Sequence, residues 1–207
     1  MHKSYIESMK VLIIGAEGTI GRKVASNIAE RHQVISAGRN SGDVRLDMSS
    51  SEAIEKMYRE LPGLDAVVAI AGEAHWGAFQ NMTEEDYYIG IRSKLMGQVN
   101  LVRIGQRFLN PGGSFTLTTG ILADDPVKDS AGPSLVNGAI HSFVLAAAQD
   151  LQNGLRINAV SAGLVEDAYE RYAPFFPGHT PVSMRRVVHA YCKSVEGVVN
   201  GKVIRVY

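Results

Sequence analysis

The residues of clearest chemical promise are three glycines in the run Gly15-Ala-Glu-Gly-Thr-Ile-Gly21, directly after the apolar Val11-Leu-Ile-Ile14. A strand that ends in such a turn and feeds a helix leaves unpaired backbone N–H groups at the helix start, a natural seat for a pyrophosphate. Each glycine has its own task. Gly15 ends the strand in a conformation that a side chain hinders, Gly18 lets the backbone approach phosphate, and Gly21 lets the helix lie close to the sheet. Glu17, Thr19 and Ile20 complete the expected contact turn. The spacing is G-x-x-G-x-x-G rather than the commoner G-x-G-x-x-G, and a tight turn with no ligand would satisfy it too.

A second group follows the run Val34-Ile-Ser-Ala37. A carboxylate at the end of such a strand holds the ribose hydroxyls of NAD(H). Here Gly38 takes that place, followed by Arg39, Asn40 and Ser41. A missing carboxylate and a guanidinium fork suit a 2′-phosphate, which favours NADP(H) over NAD(H). An ordinary solvated loop arginine would give the same letters. No metal site is expected.

The surrounding pattern supplies a scaffold. Short β-rich runs at Val11–Ile14, Val34–Ala37, Asp65–Ala71, Gly113–Thr119, Leu155–Ser161 and Lys202–Val206 alternate with helical periods. The spacing predicts helices over 19–31, 49–60, 83–108 (with a bend near Gly90), 134–152 and 182–194. Ser49 with Glu52 reads as a capping box, and Ser134 as a helix N-cap. Alternating strands and helices imply right-handed βαβ units and a parallel sheet covered on both faces. The expected fold is α/β: a Rossmann-type, doubly wound sheet of seven mostly parallel strands in the order 3-2-1-4-5-6-7, in one domain over 9–207, with residues 1–8 a disordered lead.

Composition sets the outer bounds. The chain has 207 residues, and 21 Lys+Arg balance 21 Asp+Glu, so nothing points to nucleic acid. No apolar stretch of about 18 uncharged residues is read, so no membrane partner is expected. The N-terminal MHKSYIESM lacks the apolar run of a signal peptide. Cys192 is the only cysteine, which fits a reducing compartment and a cytoplasmic location.

With Asp47-Met48 after the second strand, Ala69-Ile-Ala71-Gly72 after the third, and Leu155-Arg-Ile-Asn-Ala-Val-Ser-Ala-Gly163 further on, the chain resembles the short-chain dehydrogenase/reductase family over about residues 10–207. The resemblance implies that Asp47 meets the adenine amine and that Ala71-Gly72 lies beside the adenosine ribose. It also implies pairing of the helices near 92–108 and 134–151 into a homodimer or homotetramer.

The family's Ser, Tyr and Lys fall on Gly120, Pro133 and Asn137, and its supporting asparagine near Lys94. Pro133 has no proton to give; Asn137 can still hydrogen-bond a ribose hydroxyl. The chain thus reads as a divergent subgroup. Thr119, Ser134 and Lys94 are the remaining catalytic candidates. Glu73, His75 and Trp76 could line a pocket or merely pack a loop. His141 reads as an interface or solvated residue, and 121–133 as a mobile flap. Two functions stay open: an NADP(H)-dependent oxidoreductase with altered catalytic groups, its substrate unknown, or a non-catalytic NADP(H)-binding sensor or scaffold.

Overall fold

The computed structural model describes residues 7–207; the expected lead over 1–8 falls mostly outside them. Seven parallel strands form one sheet in the order β3-β2-β1-β4-β5-β6-β7. They are β1 (Lys10–Ile14), β2 (Gln33–Gly38), β3 (Val44–Arg45), β4 (Ala66–Ala69), β5 (Ser114–Gly120), β6 (Arg156–Ala162) and β7 (Lys202–Val206). The order is the expected one. Six strands lie where the sequence places them; β3, two residues long, is too short to show a hydrophobic period.

Strand alternation explains the two layers. Leu12, Ile14, Val67, Phe115 and Leu117 point to one face and pack with Ile54, Leu101 and Ile140. Those residues come from α2 (Ser51–Glu60), α4 (Met96–Gly105) and α5 (Ala131–Asp150). Val11, Ile13, Val68 and Val160 point to the other face and pack with Val24, Val187 and Tyr191, from α1 (Thr19–Ala29) and α7 (Met184–Glu196). A sheet buried on both sides needs the near-continuous apolar strands that the sequence shows.

The helix starts carry corrections. Ser50, not Ser49, caps α2 through Ala53 N, because Asp47 engages both the N–H and the hydroxyl of Ser49. The region read as one helix over 83–108 is α3 (Glu84–Gly90), capped by a Thr83/Asp86 box, then a π-helical turn over Ile91–Leu95, then α4. Ser134 is not a cap: α5 begins at Ala131, and Ser134 N–H donates to Ser130 O within its first turn. Three short elements lie between β6 and α7: the turn Glu166–Ala168, α6 (Tyr169–Tyr172) and the turn Ala173–Phe175. Helix α5 is also long and apolar enough to cross a membrane by length and composition, which corrects the sequence reading. Its Val136, Ile140 and Val144 are buried in the protein.

Candidate functional site

At the carboxyl edge of the sheet, β1 leads through the glycine turn into α1. Gly15 has φ +84°, and a Cβ there would sit 2.8 Å from Ile70 O. Its N–H donates to Ala37 O at 2.8 Å, tying the turn between the ends of β2 and β4. A Cβ on Gly21 would overlap Gly15 O. Helices α2, α3 and α7 each have a side-chain N-cap, whereas α1 starts at Gly18 with none. The first N–H groups of α1 therefore face an open edge, the arrangement that binds phosphate.

Two clefts flank this turn and meet at Gly72. The smaller, about 330 Å³, is lined by Gly38, Arg39, Asn40, Met48, Ala71 and Gly72, among others. Asp47 stands beside it, with Arg39 Nη2 at 4.0 Å from its Oδ1. Hydrogen bonds from Ser49, with Arg39 adding its charge, hold the Asp47 carboxyl below its usual range. Glu73 also faces Arg39, at 3.6 Å. Glu17 is exposed on the turn and lines neither cleft.

The larger cleft, about 460 Å³, holds Thr19 and Ile20 on one side and Lys94, Thr119, Gly120 and Asn137 on its floor. Gly72 has φ +119°, and a Cβ there would lie 2.8–2.9 Å from Lys94 Cα, Cβ and Cγ. The missing side chain thus lets the Lys94 stem lie against the β4 edge. Burial alone, with no opposing carboxylate, lowers the Lys94 ammonium to a pKa of about 8. Asn137 is only 3% exposed, and its Oδ1 has no hydrogen-bond partner among the described residues. An unpaired buried carbonyl is costly, and a ribose hydroxyl arriving in this cleft would satisfy it. Pro133 lines the same wall; Ser134 does not and bonds Ser130 instead.

Thr119 Oγ1 pairs with His141 Nε2 at 2.8 Å. His141 is therefore a buried partner of the site, not the solvated or interface residue the sequence suggests. Desolvation lowers its pKa, partly offset by Asp124. Asp124 is itself fixed by Arg205 at 2.8 and 3.1 Å and by the Tyr207 hydroxyl. The Arg205 pair holds its pKa near 2. The loop read as a flap is thus anchored: Asp124 to β7, and Asp129 O to Gly77 N–H.

Trp76, Leu122, Tyr172 and Phe176 form an apolar outer wall. Trp76 meets Phe175 and Phe176 edge-on or tilted at 6.1 Å between ring centroids. Tyr172 and Phe176 were not read from the sequence. The aromatic run Tyr172-Ala-Pro-Phe-Phe176 after a strand end was the available signal, since ligands bind at that edge.

A family model described as Enoyl-(Acyl carrier protein) reductase matches residues 7–188. The chain belongs to the short-chain dehydrogenase/reductase family. Members of this family bind nicotinamide cofactors, and the present chain shares their fold. Among solved relatives, the protein lin1944 from Listeria innocua is 42% identical with a TM-score of 0.95, covering 97% of this chain and 100% of that one. A small-chain dehydrogenase solved in complex with NADPH is 25% identical, with a TM-score of 0.84 and 96% of each chain covered. General stress protein 39 from Bacillus subtilis is 31% identical over 148 residues, 68% of this chain. The chain spans about half of that relative's length. Short chain dehydrogenase/reductase dmxR18 from a Cryptosporiopsis species is 26% identical and is matched over 91% of this chain and 86% of its own length.

Proposed function

We propose that this dehydrogenase/reductase family member is an NADP(H)-dependent oxidoreductase whose catalytic groups differ from the family's Ser, Tyr and Lys. The observation that carries the reading is the pair of clefts joined at Gly72 over the uncapped start of α1. One extended dinucleotide fits that layout: adenosine toward Arg39, pyrophosphate at Gly18–Ile20, nicotinamide toward Lys94 and Asn137. A bound dinucleotide supplies or accepts hydride. The residues of the chain do the rest. Asn137 Oδ1 accepts a ribose hydroxyl, Lys94 places positive charge beside the reacting oxygen, and the aromatic wall keeps water from one side of the cleft. That wall fits planar apolar acceptors such as quinones or activated alkenes. The NADPH complex of one structural neighbour supports the cofactor choice.

The test is a fluorescence titration with NADPH, NADP, NADH and NAD. Arg39→Ala is expected to weaken NADP(H) by about 1.5–3 kcal/mol, as for a charge-assisted bidentate contact, and NAD(H) far less. Equal losses for both would show that Arg39 does not read the 2′-phosphate.

A second reading, a non-catalytic sensor or scaffold, is favoured by Pro133 on the cleft wall, where the family's acid is expected. Either way we propose a homo-oligomer. Leu135 and Leu145 on α5 and Met96 on α4 are 46%, 54% and 40% exposed, and Gly138 has open space above it. A twofold contact through these helices would cover them. Light scattering at micromolar concentration is expected to give a dimer or tetramer; a monomeric mass would refute the proposal.

A further inference from the structure

We propose that Glu73 sets the dinucleotide selectivity of the smaller cleft by competing with a 2′-phosphate for Arg39; the proposal rests on the NADP(H) reading above.

Among the described residues lining the smaller cleft, Arg39 is the only cation. Its guanidinium is already approached from two sides, by Glu73 Oε1 at 3.6 Å to Nη1 and by Asp47 Oδ1 at 4.0 Å to Nη2. The two carboxylates are not equivalent. Asp47 Oδ1 also takes the N–H and hydroxyl of Ser49, so its position is fixed from its own loop. Among the described residues, Glu73 is anchored only through its backbone N–H, which donates to Ser93 Oγ at 3.3 Å. Its carboxylate ends a flexible side chain that is 62% exposed.

Glu73 directly follows Gly72, so it enters the cleft from the end of β4. The position that carries the NAD-selecting acid at the end of β2 is Gly38. The chain has therefore not lost a rim carboxylate. It supplies one from the loop after β4, on the far side of β1. One guanidinium against two carboxylates leaves the rim with one excess negative charge. A 2′-phosphate carries about −1.5 to −2 at pH 7, so it meets that excess and must take Arg39 away from Glu73. A 2′-hydroxyl meets no such conflict and can donate to the Glu73 carboxylate. The preference for NADP(H) is accordingly narrow, and both dinucleotides bind.

The exposed setting bounds the size of the effect. Ion pairs between solvated side chains contribute modestly, so removing the competitor is worth about a fivefold change in affinity. Glu73→Gln preserves size and removes the charge. Fluorescence titrations with NADPH and NADH at low salt compare the unaltered protein, Glu73→Gln and Arg39→Ala. Glu73→Gln is expected to bind NADPH about fivefold tighter, with NADH unchanged or weaker, and added salt should shrink the difference. If Glu73→Gln leaves the NADPH-to-NADH ratio unchanged or lowers it while Arg39→Ala still collapses that ratio, the competition proposal is wrong and the NADP(H) reading stands. If Arg39→Ala does not move the ratio, both fall together.

Discussion

Gly21→Ala is expected to lower the melting temperature and abolish measurable dinucleotide binding. The new Cβ would overlap Gly15 O and come within 2.9 Å of Ala16 Cα. Both obstacles are backbone, at the junction that ties β1 to α1, so no flexible side chain can yield. Overpacking of this kind costs about 1–3 kcal/mol. For a chain of this length that corresponds to a fall in Tm of about 2–12 °C. Relief comes by moving α1 off the sheet, which draws its free N–H groups away from the phosphate seat. Gly18→Ala separates the two effects. Its Cβ would meet only Gly15 O, at 3.4 Å, and its φ of −73° suits any residue. That variant should keep its Tm and lose affinity, because the added methyl occupies the approach to the turn. Thermal melts paired with NADPH titrations decide the matter. An alanine at position 21 with unaltered Tm and affinity would remove the close-packing account of this glycine.

The glycine turn was legible because its constraint is local: a strand, a turn and a helix start within twelve residues. The sheet order was legible for a similar reason, since buried strands announce themselves as apolar runs and βαβ handedness limits the topologies. Where the reading slipped, neighbouring residues had equal claims. Ser49 and Ser50 both suit a cap, and only the capture of Ser49 by Asp47 decides between them. Ser134 suits a cap, but the proline before it is tolerated within the first turn, so α5 begins at Ala131, two residues before Pro133.

The floor of the larger cleft was less legible, because its properties belong to pairs far apart in sequence. Thr119 and His141 are 22 residues apart, and no periodicity reveals that one buries the other. Lys94 looks like any helix-surface lysine until Gly72 is seen against its stem. The π-helical turn around it has no distinct residue pattern, although such turns gather at functional sites. Arg39 is visible in the sequence as the cation that follows β2, whereas its two carboxylate neighbours come from separate loops.

The second large effect concerns the proton. NADPH binding is expected to persist with little or no turnover of simple ketones or secondary alcohols, while planar activated acceptors such as quinones are reduced. An unactivated ketone needs a proton at oxygen almost as its carbon is reduced, since a free alkoxide is costly beside an apolar wall. General-acid help is worth about 10²–10⁴ in rate. Pro133 offers no proton, and Gly120 offers no hydroxyl to orient the oxygen. Lys94 is the ammonium on the cleft floor, and burial holds it near pKa 8. It is charged below that pH and neutral above it, so its help is present at pH 7 and fades as pH rises past about 8. Quinone reduction, which uses the Lys94 charge beside the oxygen and no proton in the same step, should therefore fall on the alkaline side, and Lys94→Met should slow it about 100-fold and remove that alkaline limb. Tyr172 brings a phenol to the outer wall, so Tyr172→Phe is the control and should keep the limb. A limb that survives Lys94→Met but not Tyr172→Phe would transfer the role to the tyrosine. Ketone turnover at the quinone rate would mean that Lys94 or the Thr119–His141 pair delivers a proton, with Lys94→Met and Thr119→Val the variants that tell them apart. NADPH binding with no turnover of either class would favour the sensor reading over the oxidoreductase.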